Sequence, residues 1–173
     1  GRDRSRVSLS GGQTLTARLV VAADSRFSET RRSMGIAADS HDFGRTMLVC
    51  RMNHERPHHQ VAWEWFGYGQ TLALLPLAEH QSSVVVTLPP GDIQGLMVAS
   101  DTEFAASMES RFQGRLGRMS LASTRHAYPL VGVYPRRFVG ERFALVGDAA
   151  VGMHPVTAHG FNFGLLGQDL LGR

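Results

Sequence analysis

The stretch 142–166, RFALVGDAAVGMHPVTAHGFNFGLL, constrains the fold of this chain more than any other part. Its apolar run at 143–146 predicts a short buried strand. Gly147 and Asp148 follow at the predicted strand end, which is where open α/β sheets bind ligands. A carboxylate there is suited to accept hydrogen bonds from sugar hydroxyls. A helix is predicted to begin near Gly160, and the unpaired N–H groups of its first turn favour an anion or a carbonyl oxygen.

Three glycines of this predicted helix, Gly160, Gly164 and Gly167, are spaced four and three residues apart and therefore share one face. Each glycine inside a helix costs about 1 kcal/mol relative to alanine. The shared face indicates that a flat or bulky group comes close to the helix. Tight packing of the helix on a sheet is the alternative explanation.

The segment GDAAVGMHPVTAHGFNFGL resembles the second flavin fingerprint of the FAD-dependent aromatic hydroxylases, which have the para-hydroxybenzoate hydroxylase fold. It is most similar to the ubiquinone-biosynthesis hydroxylases of that superfamily. The resemblance implies that Asp148 binds the ribityl or ribose hydroxyls of FAD and that Pro155 lies beside the isoalloxazine ring. The cofactor-binding residues implied in this segment are Gly147, Asp148, Pro155, Gly160, Phe161 and Asn162.

A second segment, LVVAADSRFSETRR, is similar to the middle fingerprint of the same family, A-D-G-x-x-S-x-x-R. Asp24, Ser28 and Arg31 fall on its fixed positions, and the resemblance places Asp24 and Arg31 near the FAD pyrophosphate. Ser25 departs from the pattern, since the family has glycine at this position. Glycine readily adopts a positive φ, whereas serine resists it. Taken without the resemblance, Asp24 is a turn aspartate at a strand end.

The amino-terminal part predicts local elements of its own. Strand-like runs at 6–10 and 13–22 flank Gly11 and Gly12, which predicts a hairpin with a two-residue turn. Ser28 is predicted to cap a short helix that ends at Gly35.

The middle of the chain predicts a mainly antiparallel sheet. Short β-rich runs lie at 46–52, 61–66, 71–75, 82–88 and 118–127, and a helix is predicted at 102–112, after Asp101. The predicted fold class is α/β (α+β mixed), with part of a Rossmann-like FAD-binding domain and an inserted, mainly antiparallel β-sheet substrate domain. The predicted divisions are 1–40 and 128–173 for the FAD-binding domain and 41–127 for the substrate domain.

Trp65, Pro76 and Tyr134 are the candidate substrate contacts, with Trp63 and Tyr128 as neighbours of the same kind. Alternation places Trp63 and Trp65 on one face of a strand. Packing within the sheet is the alternative role of the tryptophans, and a hinge or packing role is the alternative for the tyrosines.

Composition excludes several classes of function. The formal net charge is +3 with arginine as the only basic residue besides histidine, which is too mild a balance to indicate nucleic-acid binding. Cys50 is the only cysteine, so an internal disulfide is excluded and a reducing compartment is expected. The eight histidines show no metal-ligand spacing, so no metal is expected. His154 is the one candidate for a catalytic role, as a proton shuttle, and its alternative role is to shape the loop.

The resemblance implies an FAD-dependent monooxygenase that hydroxylates an aromatic ring with NAD(P)H and O₂. The expected substrate is a small aromatic compound, a phenol or quinone precursor as in ubiquinone biosynthesis. A cytoplasmic protein is expected, and a polyprenylated substrate would imply peripheral association with the inner membrane face or a biosynthetic complex. A flavin-dependent reductase or dehydrogenase of the same fold and a non-catalytic binding fragment remain as alternatives.

The third fingerprint of the family, an amino-terminal G-x-G-x-x-G after a strand, does not occur in this sequence. We therefore expect that the chain is a piece of a longer protein and that by itself it binds FAD weakly or not at all.

Overall fold

A computed structural model describes residues 4–155 and 159–173 of the chain. The chain divides into two compact units. We call Gly1–Phe43 together with Val131–Arg173 the discontinuous unit, and Gly44–Leu130 the inserted unit. The roles assigned to the segments 1–40, 41–127 and 128–173, as FAD-binding and substrate domains, stay predictions.

An antiparallel sheet forms most of the inserted unit. Its strands have the spatial order β5-β6-β7-β4-β8, and β9 also pairs with β4. The strands are β4 (Ala38–His54), β5 (Trp63–Gly67), β6 (Gln70–Pro76), β7 (Gln81–Leu88), β8 (Met119–Leu121) and β9 (His126–Pro135). Strands β4 and β9 therefore both cross the boundary of the unit.

The alternation of β7 shows why this sheet forms one core. Ser82, Val84, Val86 and Leu88 are buried, while the residues between them are half-buried. Helices α2 (Pro90–Val98) and α3 (Asp101–Arg111) contribute buried side chains to the same cluster. One face of the sheet thus has an apolar covering, as is typical of antiparallel sheets.

The two helices begin where the local sequence favours it. Pro90 occupies the first turn of α2, where its missing N–H leaves no hydrogen bond unmade. Ser100 caps α3, since its hydroxyl accepts from the Glu103 N–H and the Glu103 carboxylate accepts from the Ser100 N–H.

Among the described residues, the discontinuous unit contains a hairpin, a small sheet and two α-helices. The hairpin is β1 (Ser5–Ser8) with β2 (Thr14–Ala17). The remaining elements are β3 (Val20–Ala22), α1 (Glu29–Ser33), β10 (Val139–Gly140), β11 (Phe143–Leu145), a 3₁₀ turn at Gly147–Ala149 and α4 (Gly160–Gly172). The small sheet has the order β10-β11-β3, in which β11 and β3 are parallel.

The predicted mixed α/β class with a mainly antiparallel sheet is confirmed. The short helix capped by Ser28 is also confirmed, since the Ser28 hydroxyl accepts from the Arg31 N–H at 2.9 Å. Gly35 follows that helix with a φ of +66°. The strand at 143–146 and the helix that begins at Gly160 are present as β11 and α4.

Several predicted bounds were wrong. The run 13–22 is two strands, because the chain leaves the hairpin after Ala17 and β3 joins a different sheet. The hairpin turn is longer than two residues, with Leu9 bonded to Gln13 across it. The run 118–127 is strand only at 119–121 before β9 begins at His126.

Helix α2 was missed, because the Pro-Pro-Gly sequence at 89–91 predicts only a break. A proline that interrupts a strand also suits the first turn of a helix, and here Pro89 follows β7 while Pro90 begins α2. The helix α3 begins at Asp101, not after it, and its cap is Ser100.

Candidate cofactor site

The ends of two parallel strands bring the two fingerprint segments together. Strand β3 pairs with β11, with Ala22 opposite Leu145. Asp24 follows the first strand and Asp148 follows the second. Because the carboxyl ends of parallel strands meet at one edge of a sheet, both aspartates belong to the edge at which α/β sheets bind ligands.

An ion pair joins the two segments directly. The Arg26 Nη2 atom lies 3.1 Å from Asp148 Oδ2, and its Nη1 atom donates to the carbonyl oxygen of Val131 at 3.1 Å. A Cβ added at Gly152 would lie 2.6 Å from the Arg26 Cβ, so glycine is needed for the arginine to occupy this position. Sequence reasoning missed Arg26, because nothing local indicates a partner 122 residues away.

Asp148 keeps an accessible carboxylate in this arrangement. Its side chain is 43% exposed, and the arginine beside it is 26% exposed. Charge-assisted bonds of this kind fix the orientation of a carboxylate more firmly than neutral ones. Asp148 is therefore held at the strand end with its carboxylate open to a ligand.

Asp24 is bound to its own chain. Its Oδ1 atom accepts from the Ser28 hydroxyl at 2.5 Å, and its Oδ2 atom accepts from the N–H and the hydroxyl of Thr30 at 3.0 and 2.8 Å. Desolvation raises the pKa of Asp24, but these hydrogen bonds together have the larger effect and lower the pKa from 3.8 to about 2. The geometry gives Asp24 a structural role at the start of α1, and a direct contact with FAD stays a prediction.

Arg31 lies buried on α1, with 6% of its surface exposed. Its Nη1 atom donates to the Arg26 carbonyl oxygen at 3.1 Å, while its Nε atom has no hydrogen-bond partner within the described residues. A buried donor without a partner is costly, so a ligand oxygen at this atom would stabilise it. This orphaned donor is compatible with the predicted contact to a phosphate-bearing cofactor.

Ser25 adopts a φ of +73°, in the left-handed region. This is the position at which the resemblance expects glycine, and the chain keeps the turn although serine is strained there. The serine therefore does not prevent a positive φ at this position.

Gly147 also has a positive φ, of +57°, and it lies against α4. A Cβ added at Gly164 would be 3.6 Å from the Gly147 Cα, which is an ordinary van der Waals contact. Within the described residues, nothing lies within 4 Å of a Cβ added at Gly160 or Gly167. Packing inside the described chain therefore does not explain these two glycines.

The rest of the second fingerprint lies at the start of α4 and in the loop before it. Phe161 and Asn162 are exposed in the first turn of α4, as Pro155 is in the loop. His154 packs edge-on against Phe43, with ring centroids 4.7 Å apart. Residues 156–158 of the fingerprint lie outside the described residues.

The three candidate substrate residues are not brought together within one unit. Trp65 and Pro76 belong to the inserted unit, and the cross-strand register places both on the face of Leu72 and Val84, which is the face that carries the core. Trp65 lines a cavity of about 260 Å³ there. Tyr134 belongs to the discontinuous unit, is exposed, and contacts Phe138 edge-on. Their contact with substrate stays a prediction.

Two buried histidines of the inserted unit have protein partners. The buried His54 bonds through Nε2 to the Ser82 hydroxyl at 3.0 Å, and the buried His58 bonds through Nε2 to the Ala78 carbonyl oxygen at 2.6 Å. Across residues 4–155 and 159–173, no three His, Cys, Asp or Glu side chains are grouped as metal ligands. No helix in the same ranges combines the length and the apolar composition that a membrane span requires.

A profile of the FAD binding domain matches residues 3–171, nearly the whole chain. The chain belongs to the FAD-binding domain family. The prediction of this family and of FAD as its cofactor is therefore confirmed.

Relatives of this FAD-binding domain include two ubiquinone hydroxylases. UbiM of Neisseria meningitidis serogroup C is 53% identical over 171 residues, which are 99% of this chain and 37% of the relative. UbiL of Rhodospirillum rubrum is 42% identical over 166 residues, which are 95% of this chain and 39% of the relative. The chain thus spans less than two fifths of the length of either relative.

Solved structures share the fold of this FAD-binding domain. PqsL of Pseudomonas aeruginosa, in complex with 2-aminobenzoylacetate, matches with a TM-score of 0.73 at 22% identity over 92% of this chain and 46% of its own. HpxO of Klebsiella pneumoniae, complexed with FAD and uric acid, matches with a TM-score of 0.69 at 20% identity over 94% of this chain and 44% of its own. At these identities the likeness shows the fold alone.

Proposed function

We propose that the protein containing this chain is an FAD-dependent monooxygenase that hydroxylates an aromatic ring with NAD(P)H and O₂. The proposed substrate is a phenol or quinone precursor of the kind used in ubiquinone biosynthesis. The identity of the chain to two ubiquinone hydroxylases supports this substrate class. The observation that carries the proposal is the Arg26–Asp148 ion pair, because it joins the two flavin fingerprints at one sheet edge.

The residues of this site fit the cofactor. Asp148 offers a fixed, exposed carboxylate to the sugar-alcohol hydroxyls of FAD, and Arg31 offers a buried donor to a phosphate oxygen. The N–H groups of the first turn of α4 favour the carbonyl-bearing edge of the isoalloxazine ring. When bound, FAD supplies the activation of O₂ and the transfer of one oxygen atom.

The chain's own residues contribute position and electrostatics to this chemistry. Arg26 holds the Asp148 carboxylate at the strand end, so that the carboxylate does not have to be ordered when the cofactor binds. The positive end of α4 stabilises negative charge near its first turn. His154 is proposed as a loop residue beside Phe43, with proton transfer as its second candidate role.

The alternative enzyme is a flavin-dependent reductase or dehydrogenase of the same fold. The third candidate is a non-catalytic binding fragment. A polyprenylated substrate would place the protein at the inner membrane face or in a biosynthetic complex, and we include that association in the proposal. The similarity of the chain to two ubiquinone hydroxylases favours hydroxylation over the two alternatives.

The first test is the absorption spectrum of the full-length protein that contains this chain, purified without added cofactor. Flavin bands that survive gel filtration, followed by substrate-dependent O₂ uptake with a hydroxylated product, are expected. Oxidation of NAD(P)H without a hydroxylated product would favour the reductase. A colourless protein that also fails to take up added FAD would favour the non-catalytic fragment.

The second test is Asp148→Ala in the full-length protein. The lost acceptor leaves cofactor hydroxyls unpaired, so FAD affinity should fall by about 1–3 kcal/mol. Fluorescence titration of FAD measures the change, and Asp169→Ala, at an exposed ion pair in the last turns of α4, is the control. An unchanged affinity in the Asp148 variant would reject the role of this carboxylate.

A further inference from the structure

The part of the second fingerprint that leads to Pro155 is held by two strands. We call residues 150–155 the fingerprint loop, which follows the 3₁₀ turn that contains Asp148. Strand β9 makes a backbone contact with the middle of this loop, and the start of β4 makes an aromatic contact near its end. Because loops are the more mobile segments of a domain, two such contacts restrict the positions that this loop can take.

The backbone contact joins Gly152 to Val133. The Val133 N–H donates to the Gly152 carbonyl oxygen at 2.7 Å, and the Gly152 N–H donates to the Val133 carbonyl oxygen at 3.0 Å. Such a reciprocal pair fixes the spacing of two antiparallel segments. Val131, two residues earlier on β9, accepts from Arg26, which pairs with Asp148. The fingerprint loop and the ion pair of the cofactor site are therefore held by the same short stretch of β9.

The aromatic contact joins His154 to Phe43. Their ring centroids are 4.7 Å apart, and the angle between the ring planes is 78°. His41 contacts the same phenyl ring edge-on, also with centroids 4.7 Å apart and at an angle of 80°. Residues two apart on a strand lie on one face, so His41 and Phe43 form one aromatic surface of β4. Aromatic rings prefer such edge-on contacts, and Phe43 therefore holds the His154 ring from this strand.

Phe43 also lies against the backbone that fixes the loop. A Cβ added at Gly132 would lie 3.5 Å from the Phe43 Cε2 atom and 3.7 Å from the Gly152 carbonyl oxygen. The phenyl ring and this carbonyl group are therefore neighbours of the same residue of β9. Because the ring contacts both β9 and His154, it links the position of the imidazole to the backbone bridge at Gly152.

We propose that Phe43 is a positioning residue of the FAD site, which acts through His154 and holds the end of the fingerprint loop in place before the cofactor binds. This role rests on the proposed function, because FAD is the ligand for which the loop is held. A loop that is already ordered loses less conformational freedom when its ligand binds. Phe43 itself is assigned no contact with FAD.

The first variants test whether the phenyl ring matters for FAD binding by the full-length protein. Phe43→Leu keeps an apolar side chain but removes the ring, so FAD affinity should fall about fivefold, as expected for a lost edge-on contact. Faster release of FAD should account for most of this loss. Phe43→Tyr keeps the ring and should stay within about twofold of the wild-type affinity. Fluorescence titration and the rate of FAD release after dilution measure these changes.

A double-mutant cycle separates positioning through His154 from a general structural role. His154→Gln should lower FAD affinity at least as much as Phe43→Leu does. The double variant Phe43→Leu, His154→Gln should lose little more than His154→Gln alone, because both changes remove the same contact. Losses that add in the double variant would overturn the proposal, since Phe43 would then act independently of His154.

Two spectroscopic readouts do not depend on affinity. In the FAD-free protein, the imidazole proton NMR signal that is absent from His154→Gln should move in Phe43→Leu, because the ring current of the phenyl group is lost. At saturation with FAD, Phe43→Leu and His154→Gln should shift the flavin absorption bands in the same direction, and Phe43→Tyr should not shift them. An unmoved imidazole signal, or a flavin spectrum of Phe43→Leu identical to that of the wild type, would overturn the proposal.

The matched control is Phe138→Leu. Phe138 lies in the same unit, is 37% exposed where Phe43 is 39% exposed, and contacts Tyr134 edge-on with ring centroids 5.4 Å apart. This variant should leave FAD affinity and the flavin spectrum unchanged, and circular dichroism melting curves show whether it and Phe43→Leu are equally well folded. An equal loss of affinity in Phe138→Leu would attribute the effect to loosening of the whole unit and overturn the role of Phe43.

The outcomes also separate this role from the proposed function. A wild-type protein that binds FAD, together with a Phe43→Leu variant that binds it equally well, overturns the positioning role and leaves the flavin site standing. A wild-type protein that takes up no FAD rejects the proposed function, and the positioning role of Phe43 is rejected with it.

Discussion

In the inserted unit, sixteen buried hydrophobic residues form one cluster between the sheet and the helices α2 and α3. In the discontinuous unit, the corresponding cluster has five, and α4 has no buried residue within the part of the chain that the structure describes. Yet the flavin fingerprints lie in the discontinuous unit. Polar contacts, such as those of Arg26 and Asp24, position residues of this site.

The two units should therefore respond to different kinds of substitution. Apolar truncations should matter most in the inserted unit, because a well-packed core relaxes little around a cavity. Changes to polar residues should matter most in the discontinuous unit, where hydrogen bonds and an ion pair fix the binding geometry.

The largest effect is expected from the same substitution made in both units. Phe104→Ala in the inserted unit should cost about 3–5 kcal/mol, because the ring is fully buried among many neighbours. Phe143→Ala in the discontinuous unit should cost about 2–3 kcal/mol, since its smaller cluster can relax or admit water. Hydrogen exchange under native conditions measures the loss of unfolding free energy in each unit separately. Val98→Ala, at an exposed position, is the control; equal losses in both units would contradict the contrast.

A smaller effect is expected at the ion pair. Arg26→Gln should weaken FAD binding by the full-length protein about fivefold, since a half-exposed pair contributes up to about 1 kcal/mol. Arg26→Lys keeps the positive charge and should therefore lower FAD affinity less than Arg26→Gln does. Arg32→Gln, which removes a more exposed ion pair with Glu29, should leave affinity unchanged in a fluorescence titration. If Arg32→Gln lowered FAD affinity as much as Arg26→Gln does, the loss of affinity would come from the lost positive charge in general and not from the positioning of Asp148.

Asp24 should give the discontinuous unit a dependence on acid pH. Its pKa in the folded chain is about 2, below the ordinary 3.8, so its contribution to stability is present above pH 3.8 and is lost as the pH falls towards 2. Asp24 is exposed, so Asp24→Asn should cost about 1 kcal/mol or less at neutral pH. Urea denaturation at several pH values checks this. The difference in free energy of unfolding between wild type and Asp24→Asn should decrease as the pH falls from 3.8 towards 2. A difference that stays constant over this range would contradict a stabilising role of the Asp24 carboxylate.

The smallest effect is expected at Ser25, and it should be favourable. Ser25→Gly relieves a residue held at a φ of +73° and should raise the free energy of unfolding by about 0.5–1 kcal/mol. Ser33→Gly is the matched control, because the same change at the end of helix α1 should lower stability. Thermal denaturation of both variants shows whether stability rises in Ser25→Gly and falls in Ser33→Gly. A stability loss in Ser25→Gly would show that the serine side chain contributes more than its backbone strain costs.

The sequence was informative where a signal is local. The Ser28 cap, the glycine after α1, the strand before Gly147 and the helix after it depend on neighbouring residues, and all are present. The bonds of Ser28 and Thr30 to Asp24 also span a few residues. For this aspartate the local sequence predicts only a turn role, and the contact with FAD that the resemblance implies stays a prediction.

The remaining features depend on partners that are distant in sequence. Arg26 meets Asp148 only because β3 and β11 pair, and no periodicity indicates that pairing. The face of Trp65 follows from the register with β6, which alternation alone does not fix. Helix α2 was missed because a proline serves equally well after a strand and in a first helical turn.

The pairing of β3 with β11 also has a consequence for the order of folding. During synthesis, residues Val20–Ala22 emerge long before Phe143–Leu145, so the sheet edge that joins Asp24 and Asp148 cannot form until most of the chain has left the ribosome. The inserted unit is continuous and can fold in the interval. Strands β4 and β9 connect the two units and pair with each other. When the inserted unit folds, this pairing brings the two connections together, so that a shorter loop remains to be closed before β3 can pair with β11. The inserted unit would thus fold before the strands β3 and β11 of the discontinuous unit can pair.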